Sequence, residues 1–240
     1  MVDTSLNAKK TALTICFAAL YAVFGFIPIS PIIGLPGKAI TAAAIMAPVI
    51  GIIIGPYLGV LSTVLGGAIG FFSGVFSPPS FVSGAVAALC AGTLRKGQRS
   101  TCAFIYFSFL FFFGFYPFVG PVWLYPPLMW FQIAGFLMVV SPLQTSAIKN
   151  FNSSSDKKTL QAFFITCLTS TLAGQIAGSL TFEIISWPIF VADVMAWRAY
   201  WQGLTFLYPL ERIIIALGAS LVGTSLNKAL RTVNIKALQN

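Results

Sequence analysis

Long apolar stretches with almost no charged side chains run along the whole chain and constrain its fold more than any other feature. Charged residues make up only 8% of the 240 residues, whereas ordinary soluble domains carry roughly 25%. A soluble globule of this size could not cover its surface with so few charges. The sequence therefore predicts an all-α integral membrane protein, a polytopic helical bundle forming a single transmembrane domain over residues 1–240.

The apolar stretches are separated by charges and by Pro and Gly clusters, which mark where helices end. Dividing the chain at these points predicts about eight transmembrane helices, of which the second and fourth are short for a spanning helix. The predicted spans are 11–29, 39–54, 57–75, 81–94, 101–118, 123–147, 159–186 and 209–228.

Basic residues between these spans predict the orientation of the chain, because cytoplasmic segments carry an excess of Lys and Arg. With the N-terminus cytoplasmic, eleven basic residues lie inside or at a cytoplasmic helix end, and only Lys38, Arg198 and Arg212 lie outside. The eleven are Lys9, Lys10, Arg95, Lys96, Arg99, Lys149, Lys157, Lys158, Lys228, Arg231 and Lys236. The sequence therefore predicts a multi-pass cell-membrane protein with both termini cytoplasmic, and the net charge of +9 is a topology signal rather than a nucleic-acid-binding face.

Histidine is absent from the chain, which excludes histidine zinc sites and serine–histidine or cysteine–histidine catalysis. The four cysteines lie inside apolar stretches without metal-ligand spacing and are interpreted as small buried side chains. We therefore predict no metal, no cofactor and no catalytic residues, and the protein is not expected to be an enzyme.

Small residues recur at four-residue spacing in several predicted spans and indicate tight helix packing. Gly66, Gly70 and Gly74 follow this spacing in the third span, and Gly174 and Gly178 in the seventh. A similar pair, Ala18 and Ala22, gives the first span a smooth strip that another protein could approach.

Charged and aromatic residues collect on the predicted outer side, around the last two spans. Two interpretations of the outer charges stay open, a ligand site or interfacial residues that meet solvent. In the loop 187–208, Asp193, Trp197 and Trp201 would share one face of a short helix. That face suits a flat, polar-edged heterocycle, although an amphipathic helix resting on lipid headgroups would look similar.

Two stretches of sequence resemble a family of transport proteins, the substrate-binding S components of energy-coupling factor vitamin transporters. The first covers residues 11–95 and includes TALTICFAALYAVFGFIPISP and KAITAAAIMAPVIGIIIGPYLGVLSTVLGGAIGFFSG, with the Gly55-Pro56 turn. The second covers about 159–230 and ends in YPLERIIIALGASLVGTSLNKAL. The family has six helices, so the resemblance implies a six-helix core with an added hairpin at about 101–147.

The resemblance implies high-affinity capture of a vitamin or related micronutrient on the outer side and its delivery across the bilayer. The implied partners are a transmembrane coupling protein, contacted at Ala18 and Ala22, and two cytosolic ATPases. The chain has no Gly-rich nucleotide loop, so it cannot supply the ATPase itself. The candidate ligand contacts are Lys38, Glu183, Trp187, Asp193, Trp197, Arg198, Glu211 and Arg212.

A stand-alone small-solute transporter is the alternative function. It would be favoured by paired charges along a pathway through the membrane, yet the middle of nearly every predicted span lacks a charge. An integral membrane enzyme is less well supported, because it would need converging acid, base or metal ligands.

Overall fold

A computed structural model describes residues 4–34 and 36–232 and is almost entirely helical. Several helices begin with proline, which has no amide hydrogen to leave unpaired in the first turn. The helices are α1 Thr4–Gly25, α2 Ala43–Ile54, α3 Pro56–Phe72, α4 Pro78–Arg95, α5 Arg99–Gly114, α6 Pro121–Leu124, α7 Trp130–Val140, α8 Pro142–Asn150, α9 Asp156–Ser186 and α10 Val194–Thr232, with a 3₁₀ helix at Pro126–Met129.

A small β-hairpin follows α1 at one end of the bundle. Its strands, β1 Pro28–Pro31 and β2 Ala39–Thr41, pair antiparallel with Ser30 opposite Ile40. The Ile32 amide donates to the Lys38 carbonyl at 2.9 Å, which closes the loop between the strands. These residues were predicted to lie at the end of the first span, in the loop after it and at the start of the second span, so the hairpin was not predicted.

Helix α9 lies at the centre of the bundle and packs most extensively against α4. A Cβ atom added at Gly174 would lie 2.5 Å from the Ser83 carbonyl oxygen, and one at Gly178 would lie 3.0 Å from the Pro79 carbonyl oxygen. Any larger side chain at these positions would force the two helices apart. The predicted role of these glycines in close helix packing is confirmed.

The alanine strip of α1 is buried within the bundle rather than open to another protein. Ala18 and Ala22 are 5% and 6% exposed. A Cβ atom at Gly66 of α3 would lie only 2.2 Å from the Ala18 carbonyl oxygen, so the two backbones are in direct contact. The structure thus corrects the expectation that this strip is available to a partner: the missing side chain of Gly66 lets α3 occupy it.

Helix α10 is one continuous helix of 39 residues, where the sequence analysis predicted a loop over 187–208 and a span over 209–228. Pro209 lies inside this helix and cannot donate to the carbonyl of Thr205, four residues earlier. The indole Nε1 of Trp130 donates to that carbonyl at 3.2 Å. The helix therefore continues through Pro209 because a distant side chain replaces the missing donor.

The predicted span at 123–147 is a pair of helices with a sharp bend. The segments Pro126–Val140 and Pro142–Asn150 meet at 61°. Arg99 of α5 donates to the Val140 carbonyl at 2.9 Å, and Ser141 accepts from the Leu143 amide at 3.2 Å. These bonds supply partners for backbone groups that the bend leaves outside a regular helix.

Three helices among the described residues are long and apolar enough to cross a membrane, and the bent pair would make four. The three are Ala8–Gly25, Asp156–Ser186 and Val194–Leu230. Three further apolar helices are shorter: Ala43–Ile54, Pro56–Phe72 and Arg99–Gly114. This composition supports a membrane-associated, all-α protein, while eight crossings stay a prediction.

Polar side chains tie several turns together at one end of the bundle, here called the basic end (residues 95–98, 151–156 and 228). Arg95 donates to Asn152 at 3.0 Å, and Lys228 pairs with Asp156 at 2.7 Å. Helix α9 runs from this end to the opposite one, where the β-hairpin lies. Lys236, which was assigned to the cytoplasmic side, lies outside the described residues.

Candidate functional site

A cavity opens between the helices near the β-hairpin. The cavity has a volume of about 90 Å³. Helices α1, α2, α4, α9 and α10 and the hairpin all contribute to its wall. A cavity that several elements enclose, with a mostly apolar wall and a few polar groups, is typical of a small-molecule site.

Apolar and aromatic side chains form most of this wall. The small residues of α2 and α4 leave room for the cavity, and aromatic rings from four elements surround it. The apolar lining residues include Tyr21, Ile32, Ile33, Ala43, Ala47, Phe76, Ala87, Phe182, Trp201, Leu204 and Tyr208. Ile32 and Ile33 belong to the hairpin loop, whose Gly34 packs so closely on the Phe182 ring that an added Cβ atom would lie 2.7 Å from it.

Gln175 of α9 is a buried polar residue of the cavity wall whose side chain lacks hydrogen-bond partners. Its side chain is 6% exposed, and neither its Nε2 nor its Oε1 has a hydrogen-bond partner among the described residues. A buried amide without partners is costly, roughly 1–3 kcal/mol for each group left unpaired. Thr171 and Ser179, one turn away on either side, also line the cavity, so α9 presents one polar stripe to it.

Arg212 of α10 is the one charged side chain among the described residues that line the cavity. It is 4% exposed and contacts the neighbouring Glu211 carboxylate at 3.5 Å, while its Nε has no partner in the described part of the chain. Ser30 of the hairpin donates its hydroxyl to the other Glu211 oxygen. This chain of contacts fixes the guanidinium beside a counter-charge and ties α10 to the hairpin.

A proline inside α2 removes one helical hydrogen bond beside the cavity. Pro48 lies inside this helix and has no amide hydrogen, so the carbonyl of Ala44 loses the donor that a regular helix supplies four residues later. Ala44 lines the cavity. A residue of the cavity wall therefore lacks the regular helical hydrogen bond to its carbonyl group.

Trp197 and Trp201 were predicted to share one face of a helix, and they do. Both are nearly fully buried, and their rings pack with centroids 5.5 Å apart. The Trp197 Nε1 donates to the Val191 carbonyl at 2.9 Å and the Trp201 Nε1 to the Val119 carbonyl at 2.8 Å. Trp201 lines the cavity, whereas Trp197 lies behind it and holds the 187–193 turn against α10.

Four other candidate contacts lie away from the cavity wall, so far as the structure describes it. Lys38 donates to the Gly74 carbonyl, and Trp187 packs against Phe118 with ring centroids 6.1 Å apart. Asp193 is exposed and accepts from the Met195 amide at 2.9 Å, as expected at a helix start. Arg198 is exposed on α10.

Glu183 is buried without exposure, and both of its carboxylate oxygens lack partners among the described residues. It follows Phe182, which lines the cavity, but Glu183 is not among the lining residues. Of the eight candidate contacts, the structure therefore brings Arg212 to the cavity with Glu211 directly behind it.

Several residues of the cavity wall were missed from the sequence because they carry no charge. Gln175 stands in the seventh predicted span among Gly, Ala and Ser residues. A lone amide in an otherwise apolar span could have singled it out, since polar groups inside a membrane are expensive unless they serve a purpose. Pro48 could likewise have pointed to the Ala44 carbonyl.

The described residues contain no group of three or more Cys, Asp or Glu side chains arranged to hold a metal ion. Compared with models of protein families, with curated proteins and with solved structures, the chain matches none of them. The function must therefore be argued from the cavity and from the sequence.

Proposed function

We propose that this chain is the substrate-binding S component of an energy-coupling factor importer. It captures a vitamin or related micronutrient on the outer side of the membrane and delivers it across. The observation that carries this proposal is the cavity, which is enclosed by five helices and the hairpin and whose wall combines aromatic side chains with a few unpaired polar groups. Such a wall binds a small molecule by apolar contact and orients it by hydrogen bonds.

In this proposal the protein crosses the membrane about eight times, with both termini in the cytoplasm. The shorter helices α2 and α3 cross as a tightly packed antiparallel pair, joined at Gly55 with φ 87° and Pro56. The cavity then opens to the outside, because the basic end faces the cytoplasm and the hairpin lies opposite it.

The energy for transport comes from separate subunits, a transmembrane coupling protein and two cytosolic ATPases. The chain lacks a nucleotide loop of its own, which supports a division of labour of this kind. A contact at Ala18 and Ala22 is not retained in the proposal, since both residues are buried within the bundle and Gly66 of α3 lies directly against Ala18.

The proposal is tested by purifying the tagged full chain from its own membranes in mild detergent. We expect a small molecule to be released when the protein is denatured, and a membrane protein and ATPases to copurify in fixed ratio. Ala47→Phe should abolish the retained molecule, because Ala47 is 1% exposed and lines the cavity. Ala199→Phe makes the same change on an exposed face of α10 and should retain it.

Reconstitution of the chain alone separates this function from the alternative, a stand-alone transporter. We expect liposomes containing only this protein to bind the retained molecule without accumulating it, even with an ion gradient. Uptake by the chain alone would contradict the proposal and favour the alternative. Equal retention by wild type and Ala47→Phe would contradict the assignment of the cavity as the binding site.

A further inference from the structure

The unpaired polar groups of the cavity wall require both a donor and an acceptor from a bound molecule. Gln175 offers an Nε2 donor and an Oε1 acceptor on the same amide plane, and both are unpaired among the described residues. The Arg212 guanidinium, whose Nε is also unpaired among the described residues, adds donors. A molecule that satisfies Gln175 with two parallel hydrogen bonds must carry a donor next to an acceptor, and a lactam edge provides this as an N–H group beside a C=O group.

The charge balance of the wall favours an uncharged molecule. Arg212 is the only charged lining side chain in the described ranges, and the Glu211 carboxylate stands 3.5 Å from it. The pair is formally neutral. A bound carboxylate would approach Glu211 as well as Arg212, and the repulsion between two carboxylates in a buried site would offset much of the attraction.

The aromatic side chains favour a flat molecule. Tyr21, Phe76, Phe182, Trp201 and Tyr208 all face the cavity, and they come from α1, the α3–α4 turn, α9 and α10. Rings on several sides of a narrow space suit a planar body, which they contact by stacking or edge-to-face packing.

We propose that the cavity selects a planar, uncharged heterocycle with a lactam-type edge, in which a ring N–H stands beside a carbonyl. Gln175 recognises this edge through two hydrogen bonds. This inference rests on the proposed function only in taking the cavity as the capture site. It names Gln175 as the residue that determines specificity and Arg212 as a secondary polar contact.

Three bicyclic probes of similar size separate the parts of this proposal. The first, 2-quinolinone, is neutral and has the N–H and C=O groups side by side. N-methyl-2-quinolinone lacks the N–H donor, and quinoline-2-carboxylate carries a negative charge. Binding is measured on the full chain in detergent by ligand-induced change in thermal unfolding temperature and by titration calorimetry.

We expect 2-quinolinone to bind about tenfold or more tightly than its N-methyl derivative, since methylation leaves the Gln175 Oε1 unpaired. It should also bind more tightly than the carboxylate. Equal binding of the first two probes would overturn the role of the amide edge, and tighter binding of the carboxylate would overturn the charge argument.

Gln175→Leu tests the residue itself. The variant should lose about tenfold or more of its affinity for 2-quinolinone and should no longer distinguish it from the N-methyl derivative. Its unfolding temperature without ligand should stay the same or rise, because an unpaired buried amide is replaced by an apolar side chain of similar size. A structural role for Gln175 would instead lower that temperature.

Gln132→Leu is the matched control. Gln132 is 1% exposed in α7 and its Oε1 also lacks a partner among the described residues, but it is not among those that line the cavity. Its replacement should leave the affinity for 2-quinolinone unchanged. An equal loss of affinity in both variants would contradict the assignment to Gln175.

The outcomes for the ligand class and for the proposed function can be distinguished. If none of the probes binds, and the purified protein retains a small molecule without a lactam-type edge, the ligand class is wrong while the capture function stands. If no molecule is retained, none of the probes binds and Ala47→Phe behaves like wild type, both are wrong.

Discussion

Glycine positions in this bundle differ sharply in what surrounds them. A Cβ atom at Gly51 of α2 would lie 2.1 Å from the Ala88 carbonyl oxygen of α4, whereas a Cβ atom at Gly203 of α10 would meet nothing within 4 Å. The first glycine is required for helix contact, and the second is not. In a membrane, where helices associate largely through close packing, this distinction decides how much each glycine contributes to stability.

We expect Gly51→Ala to destabilise the protein by about 1–3 kcal/mol, because α2 and α4 must separate to make room. Gly203→Ala should instead be neutral or stabilise by up to about 1 kcal/mol, since alanine favours the helix. Thermal unfolding in detergent measures both. An unchanged unfolding temperature for Gly51→Ala would show that the helices are not in the described contact.

Helix α10 depends on residues far away in sequence for its continuity. Two indole groups connect its first half to other segments: Trp130 donates to the Thr205 carbonyl, and Trp201 donates to the Val119 carbonyl. Trp201 also packs edge-to-face on Phe113 of α5, with centroids 5.6 Å apart. The segment 99–150, which the sequence analysis interpreted as an added hairpin at about 101–147, therefore supports the wall of the cavity.

A double-mutant cycle tests whether Trp130 replaces the donor that Pro209 lacks. Trp130→Phe should cost about 1 kcal/mol in the wild-type background. In the Pro209→Ala background it should cost less, because the introduced alanine would supply its own N–H to the Thr205 carbonyl. Trp123→Phe, at a ring that is 59% exposed, is the control. Additive effects of the two changes would contradict the proposed replacement.

At the scale of the whole molecule, the charges divide between the two ends of the bundle. The Arg95–Asn152 and Lys228–Asp156 contacts bring the turns at 95–98 and 151–156 and the last turns of α10 to the same end. All three were predicted from the sequence to be cytoplasmic, and their proximity supports that grouping. The side of the membrane on which this end lies is part of the proposed function.

Cysteine labelling in cells tests that orientation. In a Cys16→Ser background, Gln98→Cys and Ser154→Cys occupy exposed positions at the basic end, and Ala192→Cys an exposed position at the opposite one. A membrane-impermeant maleimide should label residue 192 in intact cells and residues 98 and 154 only after permeabilisation. Labelling of either 98 or 154 from outside would contradict the proposed topology.

The helical, membrane-associated class and the close packing at Gly66, Gly174 and Gly178 could be predicted from the sequence alone. These properties depend on local composition and on spacing along one helix, which neighbouring residues carry. The same local signals predicted a helix break before Pro209 and a solvent- or lipid-exposed strip at Ala18 and Ala22. Both predictions were wrong because residues distant in sequence intervene. Trp130 donates to the Thr205 carbonyl, which Pro209 cannot do, and Gly66 lets α3 pack against Ala18.

The cavity was decided only by the tertiary structure. Gln175 and Arg212 are 37 positions apart and Ala44 is more than a hundred from either, so no spacing rule connects them. The charge count drew attention to exposed side chains such as Asp193 and Arg198, which interact with solvent and with their own helix start. An unpaired amide can be recognised only after every neighbour is known, because it is defined by the absence of partners in space.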